Sequence, residues 1–125
     1  MTKSNTIIEL KKQGVVAVIR GTSYEEGHQT ATACIKGNLK AIEIAYTDMI
    51  IKQLSSDYQN NNTVLIGAGT VLDAPTAKNA IMAGAKYIVS PAFNQETAII
   101  CNRYGIPYIP GCMTIKEIIT AMEYG

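Results

Sequence analysis

The sequence predicts an α/β fold built on a parallel β-sheet, and three observations carry that expectation. Short runs of β-branched and aliphatic residues recur along the chain. Each is followed by a helix-capping signal, an apolar pattern of helical period and a glycine, which is the repeat of a βα unit. The runs are apolar almost throughout rather than alternating, as strands are when helices shield their sheet, and parallel strands require such crossovers.

A short amphipathic helix over about residues 6–12, ended by Gly14, opens the chain. The first strand is residues 15–19, all Val, Ala or Ile. Ser23 with Glu26 three residues later is a capping box, and the helix it opens runs to Gly37 as its C′ residue. The second strand is residues 41–46. A helix near residues 49–58 leads through the polar turn 59–62 into a third strand over 64–67. Asp73 is an N-cap with Pro75 in the first turn of a helix that ends near Gly84. The fourth strand is residues 87–90, Asn94 caps a helix ending at Gly105, and residues 107–110 are the fifth strand. Thr114 and Glu117 form another capping box, opening a helix that closes near Gly125. Nothing in the composition marks a linker, so residues 1–125 are expected to form a single domain.

Composition narrows the function classes. The 125 residues are 47% hydrophobic and 17% charged, with a net charge of +1, enough apolar material for a core and no sign of disorder. Eleven basic residues face ten acidic ones with no basic cluster, so neither nucleic acid nor an anionic membrane is an expected partner. A small molecule or a protein is. No stretch approaches the ~20 apolar residues of a membrane span, and the N-terminus lacks a signal-peptide run, which makes the cytoplasm the expected location. Cys34, Cys101 and Cys112 are odd in number and lack Cys-x-x-Cys spacing, so reduced thiols are expected and neither disulfide nor metal site. Two architectures fit five βα units: an open sheet of the flavodoxin or response-regulator kind, and part of a (βα)8 barrel, which needs ~200 residues or more. The length favours the open sheet.

In either architecture, ligands gather beyond the carboxyl ends of the strands. Those ends carry Arg20-Gly21, Thr47-Asp48, Gly67-Ala68-Gly69-Thr70, Ser90-Pro91 and Pro110-Gly111. A response regulator needs clustered carboxylates after its first strand and an aspartate at the third; Arg20 and Thr70 stand there instead. A dinucleotide site needs Gly-x-Gly-x-x-Gly after the first strand, whereas residues 67–72 lack the third glycine and lie in another unit. Glu43, within the otherwise apolar run 41–46, is the most informative residue. A carboxyl group desolvated there has its pKa raised toward the range useful for proton transfer, although a strand carboxylate taken alone is more often on a solvated face. With a cation at Arg20, a hydroxyl at Thr70 and close-approach backbone at Gly69 and Gly111, the set suits a small carboxylate-bearing substrate.

Residues 15–20 (Val-Val-Ala-Val-Ile-Arg), 42–44 (Ile-Glu-Ile), 66–71 (Ile-Gly-Ala-Gly-Thr-Val), 88–91 (Ile-Val-Ser-Pro) and 109–114 (Ile-Pro-Gly-Cys-Met-Thr) together resemble the successive strand motifs of the 2-keto-3-deoxy-6-phosphogluconate (KDPG) and 4-hydroxy-2-oxoglutarate (KHG) aldolase family. Each motif is weak, but five in register are specific, and they extend from about residue 4 to residue 125. The resemblance implies a (βα)8 TIM barrel of which this chain covers the first five units plus an N-terminal helix. It also implies a metal-independent, cofactor-free class I aldolase, usually a homotrimer, that cleaves a keto-deoxy sugar acid phosphate to pyruvate and an aldehyde. Carried over by motif, Glu43 matches the catalytic glutamate, Thr70 the hydroxyl that binds the pyruvate carboxylate, with Gly69 beside it, and Arg20 a cation for the same carboxylate. Thr47, Pro91 and Gly111 fall among the substrate-binding positions. Ala41, Glu43 and Ala45 are then expected to face the barrel interior and Ile42, Ile44 and Tyr46 the helices.

Two departures accompany the resemblance. Residues 45–48 lack the arginine that many members carry after the glutamate, and the following loop is about four residues short by alignment with the family pattern. The family's Schiff-base lysine lies on a sixth strand, beyond the stretch that matches residues 121–125. Lys40 and Lys86 precede strands, and Lys36, Lys52, Lys78 and Lys116 fall on helices, so none is expected beside Glu43. The chain by itself is therefore expected to be inactive. Alternatives are a related sugar-phosphate lyase and a non-catalytic βα module that associates through open strand edges.

Overall fold

A computed structural model describes residues 1–45 and 48–125. The elements alternate after an initial helix: α1 (Lys3–Gln13), β1 (Ala17–Ile19), α2 (Tyr24–Lys36), β2 (Ala41–Ala45), α3 (Asp48–Asp57), β3 (Leu65–Gly69), α4 (Ala74–Ala83), β4 (Ile88–Ser90), α5 (Gln95–Arg103), β5 (Tyr108–Pro110) and α6 (Ile115–Glu123). All strand pairs are parallel, and the strands lie in chain order, β1-β2-β3-β4-β5. That order overturns the open-sheet expectation drawn from length. A doubly wound sheet reverses its winding at a switch point and carries helices on both faces; here every crossover steps the same way. The hydrophobic core accordingly lies on one side of the sheet. Ile42, Ile44, Ile66, Ala68 and Ile88 pack there against Ala31, Ile35, Ile50, Ile51, Leu54, Ala77, Ala80 and Cys101. The other face of the sheet has no helical layer of this kind.

The caps explain where the helices start. Asp73, Asn94 and Thr114 each accept a hydrogen bond from the backbone N–H three residues on. Thr114 and Glu117 complete the reciprocal box: Thr114 Oγ1 accepts from Glu117 N at 3.2 Å and Glu117 Oε2 accepts from Thr114 N at 2.8 Å. Ser23 makes only half of one. Its Oγ accepts from Glu26 N, but the Glu26 carboxylate turns back one residue further, to Thr22 N at 2.9 Å. Gly37 is not the left-handed residue after α2; its φ is −78°, and Asn38 takes the left-handed position at φ 71°, a conformation asparagine tolerates. Thr2 caps α1, so that helix begins three residues before the expected start.

β1 is shorter than expected, and Val15 and Val16 lie outside it, exposed. Tyr46, expected at the end of β2, lies outside the described residues. α1 ties the amino end of the sheet together. Gln13 Nε2 donates to Thr63 O at 2.6 Å, and Lys3 Nζ donates to Asn102 Oδ1 at 2.7 Å and to Gly125 O at 3.1 Å. The three cysteines are free thiols, and burial pushes the Cys101 thiol up to about 12. Among the described residues, no helix is long and apolar enough to cross a membrane. Among the described residues β1 pairs only with β2 and β5 only with β4, so both edges of the described sheet are open.

Asn94 bears a testable share of stability. Its Oδ1 accepts from both Thr97 N and Thr97 Oγ1 at 2.8 Å, and Thr97 is fully buried. Asn94→Ala removes the cap and strands a buried hydroxyl, and it should lower unfolding stability by about 1–2 kcal/mol in urea titrations. Asn94→Asp, which keeps an acceptor, should retain most of it.

Candidate active site

Glu43 stands in the middle of β2, in register with Val18 on β1 and Gly67 on β3. In a parallel sheet, residues in one row point the same way, so Glu43 and Gly67 share the face away from the core, as do Ala45 and Gly69 one row further on. The two glycines leave space that side chains from neighbouring strands fill. The Glu43 side chain leans over Gly69: a methyl group at Gly69 would lie 2.7 Å from Glu43 Cδ and 2.8 Å from Cγ. The Tyr87 ring lies over Gly67 in the same way, and a methyl there would collide with the ring edge at Cζ and Cε2. At both glycines the absence of a side chain is a steric requirement of the site.

Glu43 is half-buried, and desolvation raises its pKa above the usual carboxylate value, with the Arg20 charge opposing the rise. Arg20 directly follows β1 and is exposed. Among the described residues, no hydrogen bond reaches the Glu43 carboxyl oxygens. Thr70 directly follows β3 with φ 58°, in the left-handed region, where a β-branched residue is an outlier that costs ~1–3 kcal/mol. It is held there from both sides: Gly69 is locked into register with Ala45, and the next residue, Val71, is fully buried and donates its N–H to Val89 O at 3.2 Å. The turn exposes Thr70 at the carboxyl end of β3, one residue from the backbone over which Glu43 leans.

Pro91 and Gly111 come together at the carboxyl ends of β4 and β5. Gly111 N donates to Ser90 O at 2.7 Å, and a methyl group at Gly111 would strike the Pro91 backbone. Their described contacts are with each other and not with Glu43. Thr47 lies outside the described residues. The expected facing along β2 is met where it can be seen: Ile42 and Ile44 are in the core, and Glu43 is on the opposite face. Tyr87 is the residue that sequence reasoning passed over as a site residue; an aromatic residue opening the apolar run 87–90 was the available signal. Lys3, Lys11 and Lys12 lie on α1, Lys36 on α2, Lys52 on α3, Lys78 on α4 and Lys116 on α6, while Lys40 and Lys86 precede β2 and β4. No lysine therefore stands at the carboxyl ends of the strands. No group of three or more His, Cys, Asp or Glu residues suited to a metal occurs among the described residues.

Comparison with known proteins adds a family to this geometry. The model of the family described as "KDPG and KHG aldolase" matches residues 7–125. A 2-dehydro-3-deoxy-phosphogluconate aldolase of Treponema pallidum is 34% identical over 122 residues, covering 96% of this chain and 58% of that protein. The KHG/KDPG aldolase of Escherichia coli is 28% identical over 112 residues, covering 89% and 53%. Among solved structures, the KDPG aldolase of Legionella pneumophila with pyruvate captured as a covalent carbinolamine superposes with a TM-score of 0.77 at 25% identity, covering 88% of this chain and 54% of that one. The chain thus spans little more than half the length of these relatives. The sequential parallel winding and these neighbours give the fold class as α/β of the (βα)8 type.

The Glu43 environment has a signed consequence for stability. Its folded pKa lies above its unfolded value near 4.5, so between the two the folded state binds more protons, and stability falls as pH rises through that window. Glu43→Gln removes the titrating group. The stability of Glu43→Gln relative to the parent chain should therefore grow from acid toward neutral pH and then level off, as read by thermal melts across pH. A parent chain that gains on Glu43→Gln over that range would contradict the desolvated carboxyl.

Proposed function

This chain belongs to the KDPG and KHG aldolase family, and we propose that it carries the proton-transfer half of a class I aldolase site whose imine-forming lysine lies outside these 125 residues. The substrate is 2-keto-3-deoxy-6-phosphogluconate, cleaved to pyruvate and glyceraldehyde 3-phosphate, or 4-hydroxy-2-oxoglutarate, cleaved to pyruvate and glyoxylate. One observation carries this reading: a desolvated glutamate on an otherwise apolar sheet face, leaning over a glycine at the strand end where the exposed Thr70 turns outward.

The chemistry assigns each group a task. A lysine amine adds to the substrate keto carbon to form a carbinolamine, which loses water to an imine; cleavage of the bond between the α and β carbons, as the β-hydroxyl gives up its proton to a base, releases the aldehyde and leaves the electron pair in an enamine. Glu43, with its raised pKa, gives a proton to the departing carbinolamine oxygen and exchanges one with the carbon that becomes the pyruvate methyl. Arg20 and the Thr70 hydroxyl bind the pyruvate carboxylate, and Gly69 lets backbone and substrate approach. Thr47, Pro91 and Gly111 complete the substrate pocket. No metal or organic cofactor takes part. The working assembly is a homo-oligomer, a trimer by family resemblance.

The half-site reading rests on the lysines, which all lie on helices or at the amino ends of strands. Incubation of the 125-residue chain with pyruvate and borohydride should leave its mass unchanged, and trapping of a pyruvate adduct or retro-aldol turnover would overturn the assignment. In a chimaera joining these residues to the remaining part of the Treponema pallidum relative, Glu43→Gln should lower kcat by ~10²–10⁴-fold. An undiminished kcat would remove Glu43 from the chemistry.

A second reading, association through the open edges, is favoured by the apolar surface beside them. Val18 is 49% exposed on β1, Ile109 is 45% exposed on β5, and α6 buries none of its residues and exposes Ile115, Ile119 and Met122. Light scattering over a range of concentrations should show self-association of the isolated chain; a monodisperse monomer throughout would count against it.

A further inference from the structure

We propose that Tyr87 is a positioning residue for Glu43, its buried hydroxyl donating a hydrogen bond to the carboxylate through one bridging water from the β4 side of β3. The inference rests on Glu43 being the proton carrier of the proposed site, and it assigns a task to a residue one position before β4 that would otherwise be packing.

The geometry begins with register. Ala68 pairs with Ile88, so Tyr87 is level with Gly67, and Gly67 is in register with Glu43. Glu43, Gly67 and Tyr87 thus form one row across three strands, on the face opposite the helical core. The Tyr87 ring lies over Gly67, and the ring carbon that bears the hydroxyl, Cζ, is among its closest atoms to the vacant side-chain position. The phenol end of the ring therefore lies over the backbone of β3, the strand between β2 and β4. Glu43 leans over Gly69, one row nearer the carboxyl end of the sheet, so both side chains lie over β3, two residues apart along it.

Both groups lack partners. Tyr87 is fully buried, and its hydroxyl makes no hydrogen bond in the described structure, an unfavourable state for a buried polar group. The Glu43 carboxyl accepts no hydrogen bond from the described residues. The rest of their sheet face offers no alternative: the strand residues that share it are Val18, Ala41, Ala45, Leu65, Gly67, Gly69, Val89 and Ile109, none with a polar side chain. A buried donor and a half-buried acceptor in one row of an apolar face are each other's natural partners. The Glu43 charge also raises the Tyr87 pKa further, after burial, so the phenol keeps its proton and remains a donor. Among the described residues, the Arg20 charge after β1 acts on Glu43 and the Glu43 charge acts on Tyr87 before β4; β3 contributes only glycines in these rows.

The test uses the 125-residue chain labelled with 13C at Glu Cδ and Tyr Cζ and followed by NMR across pH, so it requires neither lysine nor substrate. A failed aldolase reading is thereby separable from a failed contact. The Tyr87 Cζ resonance should move with the midpoint of the Glu43 titration. In Tyr87→Phe the Glu43 midpoint should shift to higher pH, because a donor favours the charged carboxylate and its loss disfavours it. A structural phenol would leave that midpoint in place. A Tyr87 Cζ signal that is flat through the Glu43 titration, or an unchanged Glu43 midpoint in Tyr87→Phe, overturns the proposal. Should Tyr87→Phe fail to fold, the parent-chain Cζ titration decides alone.

Discussion

The winding of the sheet is the constraint on which the rest of this structure depends. Five parallel strands in chain order require every crossover to return on the same side, so the helices and the core they share with Ile42, Ile44, Ile66 and Ile88 occupy one face. The other face is left without helices. A charged side chain there avoids the cost of full burial, yet its low-dielectric surroundings still raise its pKa. Glu43 on a helix-covered face would be an unpaired buried charge; on this face it is a half-buried acid.

Packing on that face turns on what β3 omits. Gly67 and Gly69 alternate along the strand with Ile66 and Ala68, so one side of β3 is core and the other is bare backbone. Tyr87 from one neighbour and Glu43 from the other lie across the bare backbone. Thr70 then leaves the strand in the left-handed region, held by Gly69 pairing and by the buried Val71. Local strain, two missing side chains and a desolvated acid meet at one strand end, where (βα)8 proteins place their chemistry.

Much of the fold was legible because caps and apolar runs are local signals. Asp73, Asn94 and Thr114 open helices where expected, and the five strands lie where the β-branched runs are. Two misreadings at α2 share a cause, since each depended on which of two adjacent residues the backbone would use. Glu26 bonds to Thr22 rather than Ser23, and Asn38 rather than Gly37 turns left-handed. Length misled on architecture because it does not encode winding, whereas strand order does.

The site divides in the same way. The sequence by itself determined the βα repeat, the residues at each strand end, and Glu43 as a charge in an apolar run, because these follow from residue type and period along a single chain. Its motifs also placed the chain in an aldolase family, which the family match over residues 7–125 bears out. Only the tertiary structure decided that Glu43 lies over Gly69, that the Tyr87 ring lies over Gly67, and that Pro91 meets Gly111. Those contacts depend on register between strands, and register is set by the three-dimensional pairing of segments twenty or more residues apart in sequence.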